Sequence, residues 1–398
     1  MEEASANSNL ISTARVAGWA VYLAMSWTWC IGMYLPVLIM RELGFLGVIT
    51  FAVPNIVGAM AMGWILRDKK QSQGIIEKNR TAFVWYSLIT IAFHAFFAAW
   101  IIRQIIGPHA GAAVAGVFLF FWIVLHWRRG GEFLATSLTL VACAALIGWG
   151  FWRHELPYVA HPVLGTSISP MNNLWLAPAW TLGFLCCPWL DLTFHAARQA
   201  MGRAEARAAF LVGFCIIFAA MLLVTVAYSG WLVVGFDRTR YPQLAMILGG
   251  YLTVQSCLTA ALHRQQIART HDKIPMRRFL GFSALLVISV MLGVLSDGSN
   301  TYNGMAVGEL IYRGFLGFYG LIFPAYVWLR MMKPRRSMAR VLAVIVIAAP
   351  MYWLAFADEE MGFAVIGVLI VVAGKYFPWG GVGEVRMPSR RDAAEPGA

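Results

Sequence analysis

Charged residues are scarce in this 398-residue chain, in which Asp, Glu, Lys and Arg together make up 13% of the sequence. A soluble globular domain carries roughly 25% of such residues. Hydrophobic residues make up 60% of the chain. The shortage of charge therefore excludes an ordinary soluble domain and predicts an all-α integral membrane protein with many spans in the lipid bilayer.

Motifs that would indicate an enzyme are also missing. The eight histidines are scattered without HxxxH or HExxH spacing, and no GxSxG or paired-carboxylate motif occurs. The six cysteines lie in apolar stretches without CxxC spacing, as buried thiols do. The sequence predicts no enzyme, no metal and no resident cofactor, and a membrane enzyme is a minor alternative.

The net charge of +12 does not indicate a nucleic-acid partner. Apolar stretches of about 20 residues are long enough to cross a bilayer, and basic residues lie in the short loops between them. We predict twelve such spans: 17–41, 45–66, 83–105, 110–127, 133–151, 174–199, 208–232, 243–263, 279–297, 304–329, 338–357 and 361–377. The polar residues 1–15 and the tail 378–398 are expected to be unstructured, and the N-terminal segment 1–16 is expected to be cytoplasmic.

The distribution of basic residues predicts the orientation. Twenty Lys and Arg residues lie in or beside the loops after even-numbered spans, and five lie after odd-numbered spans. Because basic loops stay in the cytoplasm, we expect both termini to be cytoplasmic, in an inner (plasma) membrane.

The sixth span contains the most unusual stretch, LGFLCCPWLDLTFH (182–195). Pro188 breaks a helical ladder, and Asp191 is costly in hydrocarbon unless it faces protein or water. A span that is both broken and charged is a typical transporter binding site. The alternative is ordinary helix-start chemistry, with Pro and Asp in a first turn. His195 follows one turn later on the same helix face, where it can pair with Asp191.

The first span contains Gly32 near its middle and Pro36 after it. Breaks in corresponding spans of two halves are the best sequence indicator of a transporter site. Spans 1 and 6 run in opposite directions, so repeats 17–151 and 174–329 would be inverted, with 338–377 as an addition.

This layout resembles the LeuT-type fold of the amino acid–polyamine–cation superfamily. The segment SWTWCIGMYLPVLIMRELGFLGVITFAVPNIVGAMAMGWILRD (26–68) is similar in texture to the start of sodium:solute symporters. The resemblance implies a substrate site between spans 1 and 6, backed by spans 3 and 8. The corresponding substrate positions are Trp29, Gly32, His94, Pro188, Trp189 and Asp191.

The same resemblance implies a sodium site between the break in span 1 and the hydroxyls of span 8. The corresponding positions are Cys30, Thr253, Ser256 and Thr259. Such symporters usually carry two adjacent hydroxyl residues on span 8, whereas this chain has Gln255, Ser256 and Cys257. A proton acting through Asp191 and His195 is therefore the alternative coupling ion.

Glu309 and Arg313 lie one turn apart in span 10 and are expected to form an ion pair or a gate near the outer face. His126 and His263 fall at cytoplasmic span ends, where an interfacial position is expected.

We therefore predict an ion-coupled secondary transporter of a small organic solute. A major-facilitator-type transporter is one alternative, because GWILRDKK (63–70) is similar to the charged loop of that class. A non-transporting membrane sensor or structural subunit on a transporter fold is another.

Overall fold

A computed structural model describes residues 2–128, 130–152, 170–233, 239, 242–270, 276–296, 300–332 and 337–376. These residues are almost entirely helical. The helices are α1 (Glu2–Trp27), α2 (Cys30–Ile65), α3 (Lys69–Phe97), α4 (Arg103–Ile106), α5 (Ala110–Trp127), α6 (Gly131–Trp152), α7 (Pro170–Cys186), α8 (Leu192–Ala200), α9 (Arg203–Val212), α10 (Ala219–Val233), α11 (Pro242–Thr270), α12 (Met276–Leu295), α13 (Val307–Gly317), α14 (Phe323–Tyr326), α15 (Met338–Phe356) and α16 (Phe363–Ala373).

Four wider π-helical turns join or extend some of these helices. They are Ala98–Ile102, Gly213–Phe218, Phe318–Ile322 and Val327–Met331. Such turns concentrate at functional sites, and the third of them contributes to the cavity described below. The predicted tail 378–398 lies outside the described residues. The prediction that residues 1–15 are unstructured was wrong for residues 2–15, because α1 begins at Glu2.

Eight helices in the described part of the chain are long and apolar enough to cross a membrane. They are Cys30–Ile65, Lys69–Ile106, Ala110–Trp127, Gly131–Gly150, Arg203–Gly230, Pro242–Thr270, Val307–Met331 and Met338–Phe356, and Leu280–Leu295 and Phe363–Ala373 are shorter apolar helices. Large apolar side chains such as Leu119, Val141 and Val287 are exposed, as expected of surfaces that face lipid. The chain is an all-α, membrane-embedded protein.

The longest helix, α2, is divided at Gly44. Its backbone there has φ 68° and ψ −167°, in the region that glycine adopts far more easily than other residues. A continuous 36-residue helix would exceed the hydrocarbon thickness of about 30 Å, at 1.5 Å per residue. The division at Gly44 separates the stretches predicted as the first and second spans.

A short hairpin precedes α13. Strands β1 (Thr301–Tyr302) and β2 (Met305–Ala306) pair antiparallel around Asn303 and Gly304, which both have positive φ angles. An Asn-Gly pair of this kind is the typical two-residue hairpin turn. The Tyr302 hydroxyl and the Asn303 amide nitrogen each donate to Asp358 Oδ1 at 3.0 Å, which fastens the hairpin to the segment after α15.

Candidate functional site

The first interruption separates α1 from α2 at Thr28 and Trp29. Trp29 is extended, with φ −86° and ψ 177°, and its backbone nitrogen donates to Trp27 O at 2.8 Å instead of continuing the helix. Gly32, expected to mark the unwound segment, lies inside α2. That expectation was wrong by three residues: backbone groups are released before Cys30, on the N-terminal side of the glycine.

Side chains from two other helices satisfy the backbone groups at this interruption. Gln255 of α11 donates from Nε2 to Met25 O and to Thr28 O, both at 2.7 Å. His94 of α3 accepts from Cys30 N at 3.2 Å through Nε2. The other ring nitrogen of His94, Nδ1, lies 2.7 Å from Thr90 O on the same helix. Nδ1 therefore carries the proton. Each helix end at the break is thus capped by a neighbouring helix.

Hydroxyl groups bind the next carbonyls of α2. Tyr312 donates to Cys30 O at 3.0 Å, and Thr225 donates to Gly32 O at 2.9 Å. Tyr228 donates to Met33 O. Three carbonyls near the predicted sodium position at Cys30 are therefore already contacted by protein hydroxyls.

The second interruption separates α7 from α8. Residues Cys187–Leu190 form a 3₁₀ turn with Pro188 at its start, and Asp191 follows in an extended conformation, with φ −83° and ψ 111°. The Asp191 carboxylate caps α8, because Oδ1 accepts from Thr193 N and Thr193 Oγ1, both at 2.7 Å. Trp189 lies within the turn. Both the break and the helix start expected for this stretch are present.

The second oxygen of Asp191 is the distinctive feature of this break. The residue is fully buried, and Oδ2 has no hydrogen-bond partner among the residues that the structure describes. A buried polar atom without a partner is costly and marks a position where a proton, a cation or a ligand donor would be stabilising.

Asp191 and His195, which can pair by their spacing, do not pair in the structure. His195 Nδ1 lies 2.8 Å from Ser72 Oγ, and Nε2 lies 3.1 Å from Trp189 O. The ring instead connects α8 to α3 and to the 3₁₀ turn, because the carboxylate of Asp191 is turned back toward its own helix start.

An aromatic cluster surrounds Trp29. Ring centroids lie 5.3 Å away for His263, 5.4 Å for Tyr319 and 5.6 Å for Tyr86. His263 was expected at the membrane interface, but it is fully buried and packs edge-on against Trp29. The contact with Trp29 was not predicted, because His263 stands at the end of the predicted span 243–263. In the structure α11 continues to Thr270, and His263 lies inside the protein.

A cavity of about 260 Å³ lies against both interruptions. Trp27 and Trp29 line it from the first break, and Cys187 lines it from the second. Its other walls come from α2, α7, α13, α15 and the π-helical turn Phe318–Ile322. The lining is chiefly aromatic and aliphatic, as binding sites for organic molecules are.

Few polar groups reach the cavity. Asn55 and Trp27 are both on the lining, and Asn55 Oδ1 already accepts from Trp27 Nε1 at 2.8 Å. Arg313 lines one end and is already paired with carboxylates. The cavity lining therefore suits a mainly apolar ligand with a small number of hydrogen-bonding groups.

Glu309 and Arg313 form the expected pair on α13, with Arg313 Nη2 at 2.6 Å from Glu309 Oε1. The pair belongs to a larger network. Arg41 donates to Glu309 Oε2 at 2.9 Å, Arg313 also contacts Glu42, and Glu359 lies 3.5 Å from Arg313. Two cations and three carboxylates thus join α2, α13 and the segment after α15.

The hydroxyl residues of α11 have different surroundings. Thr253 donates to Gly249 O at 2.6 Å, one turn back on its own helix. Ser256 Oγ is buried without a partner among the described residues. Thr259 Oγ1 lies 3.4 Å from Gln255 Nε2. The three hydroxyls therefore contact different groups, although their spacing of three residues allows them to share one face of α11.

No known protein-family model matches this sequence, and no curated protein matches it at a significant level.

Proposed function

We propose that the chain is an ion-coupled secondary transporter of a small organic solute and works by alternating access. The observation that carries this proposal is the cavity lined by residues from both helix interruptions. Discontinuous helices that meet at one solute-sized site are the usual construction of secondary transporters. Interrupted helices of this kind are otherwise costly in a membrane.

The proposal includes twelve crossings arranged as two inverted sets of five plus two additional helices. Division of α2 at Gly44 supports two crossings there. The interrupted pair α7 and α8 supports one broken crossing, and the shorter apolar helices Leu280–Leu295 and Phe363–Ala373 supply two more. The basic loops support cytoplasmic termini in an inner (plasma) membrane.

The solute would occupy the cavity beside Trp29. Its volume of about 260 Å³ is slightly below the range of about 300–1,000 Å³ for sites that hold drug-sized ligands. The apolar walls favour a compact solute with an aromatic or aliphatic body. The N-terminus of α2, with Ile31 and Gly32 on the lining, would favour a partial negative charge on that solute.

The coupling ion would act at Asp191. The carboxylate is buried at the start of α8, and its Oδ2 lacks a partner within the described residues. A proton or a cation on this oxygen would alter the charge next to the second interruption. Alternating access then requires the two states to differ in the surroundings of this one group.

Transport is tested directly in proteoliposomes. The purified protein should accumulate a compact apolar or amphiphilic solute when a proton or sodium gradient is imposed, and the uptake should stop when the gradient is dissipated. Separate arms with each gradient identify the ion. Lack of transport across a broad solute panel, with folded protein verified by its thermal transition, would contradict the proposal and favour the sensor alternative.

A further inference from the structure

The amide nitrogen of Gln255 lies among three oxygen atoms. Met25 O and Thr28 O are each 2.7 Å away, and Thr259 Oγ1 is 3.4 Å away. Gln255 and Thr259 are fully buried on α11, and Thr28 is 1% exposed at the end of α1. The side chain therefore enters the first interruption from outside the helix.

The contacts fix which end of the amide faces the carbonyls. An amide nitrogen has two hydrogens, one for each carbonyl oxygen, whereas the amide oxygen can only accept. The reverse orientation would place Gln255 Oε1 against the two carbonyl oxygens Met25 O and Thr28 O, with no proton between them. Gln255 Oε1 has no hydrogen-bond partner among the described residues, so the nitrogen alone holds the side chain in place.

The oxygens around this nitrogen form a set that suits a cation. Met25 O lies in the last turn of α1 and Thr28 O directly follows the helix, so both lie at a helix C-terminus, where carbonyls carry partial negative charge. Hard cations take carbonyl and hydroxyl oxygens at about 2.3–2.6 Å, and the nitrogen is only slightly farther from two of them. The amide and a cation would therefore compete for the same position.

We infer that Gln255 is a built-in substitute for a cation at the first helix interruption. Its amide stabilises the end of α1 against α11 without a bound ion. Shortening the side chain would open a cation site formed by Met25 O, Thr28 O and Thr259 Oγ1. The protein is accordingly indifferent to sodium at this position, and under the proposed transport function its coupling ion acts elsewhere.

Thermal unfolding of the purified full chain in detergent tests this inference without any transport assay. Any change in the Tm of the wild-type protein between sodium chloride and choline chloride, at equal ionic strength, should be the same in Thr259→Val, because no sodium binds at this position in the wild type. Gln255→Ala should have a lower Tm in choline chloride and gain about 2 °C or more when sodium replaces choline, because a ligand of the folded state raises the transition. Saturable binding of radioactive sodium should accompany the gain.

Three matched variants make the result specific. Gln255→Leu fills the same space without an amide, so it should lose stability and gain no sodium effect. Gln265→Ala lies on the same helix and should leave the sodium response unchanged. Adding Thr259→Val to Gln255→Ala should weaken the new sodium response. If Gln255→Ala does not fold, Gln255→Ser replaces it.

Two results would overturn the inference. One is sodium-specific stabilisation or saturable sodium binding in the wild type that Thr259→Val removes. The other is folded Gln255→Ala or Gln255→Ser protein that binds no sodium. Neither result depends on whether the protein transports a solute, so failure of this inference and failure of the proposed function are distinguishable.

Discussion

The hydroxyl of Ser26 lies 3.1 Å from the hydroxyl of Thr193, which joins the end of α1 to the start of α8. Thr193 Oγ1 in turn donates to Asp191 Oδ1 at 2.7 Å. All three side chains are fully buried. A contact chain of three polar groups therefore links the two helix interruptions, and a change at the carboxylate reaches α1 through hydrogen bonds.

Removal of one hydroxyl should weaken this link measurably. Thr193→Val keeps the side-chain shape but loses the donor to Asp191, so we expect about 1 kcal/mol less stability in denaturant unfolding. Ser26→Ala should cost a similar amount. Because the two hydroxyls are in contact, the double variant should lose less than the sum of the single losses. Additive losses would contradict the link.

The carboxylate of Asp191 has two separable roles, capping α8 and binding the coupling ion. Asn is as good a helix cap as Asp, so Asp191→Asn should keep nearly the wild-type Tm and lose gradient-driven uptake. Asp191→Ala should lose uptake and in addition about 1 kcal/mol of stability, because the cap is gone. Uptake in proteoliposomes and thermal unfolding in detergent measure the two roles.

Full gradient-driven uptake by Asp191→Asn would remove this residue from the mechanism. Loss of uptake together with an unfolded protein would instead assign it a structural role. Arg103→Gln is a suitable reference variant, because its guanidinium contacts Val294 O at the protein surface, away from both interruptions.

The sequence was informative where a residue type imposes local geometry. Pro188 lacks a backbone donor and Asp191 is a good helix cap, so the break and restart of this helix could be predicted from local chemistry alone. The first interruption was misplaced, because Gly32 tolerates a helix and the actual break depends on caps from α3 and α11. Local patterns do not contain those distant contacts.

The partners of buried polar side chains were the least predictable feature. Helical periodicity in the sequence shows which face of α11 carries Gln255 and His263. It does not show which residues of other helices that face contacts. Their contacts with Thr28 and Trp29 depend on how α11 packs against α1, which is a tertiary property. The deviation from paired hydroxyls at Gln255 was visible, but its consequence required the positions of the α1 carbonyls.

Substitutions in the ion-pair network at the end of the cavity should lower the stability of the protein by unequal amounts. Arg313 contacts three carboxylates, so Arg313→Gln leaves Glu309 and Glu42 with Arg41 alone. We expect a loss of roughly 3 kcal/mol or more, typical of a broken buried pair. Glu359 has a side chain 52% exposed, and Glu359→Gln should cost less than about 1 kcal/mol. Denaturant unfolding of both variants gives the comparison, and equal losses would contradict this description of the network.

Close packing of α2 against α7 beside the cavity depends on Gly58. A Cβ atom at this position would lie 2.1 Å from Phe184 O, which is backbone and cannot move aside. Gly58→Ala should therefore push the helices apart and lower stability by about 1–3 kcal/mol. It should also reduce uptake, because Phe184 lines the cavity.

Gly74→Ala is the matched control for the glycine change. It lies within α3, and nothing is within 4 Å of its Cβ position. The substitution should raise stability by about 0.5–1 kcal/mol, because alanine favours a helix interior over glycine. Thermal unfolding of both variants under one condition tests the pair. A stability loss at Gly74 equal to that at Gly58 would contradict the role of the Phe184 contact, since of the two glycines only Gly58 lies against the backbone of α7.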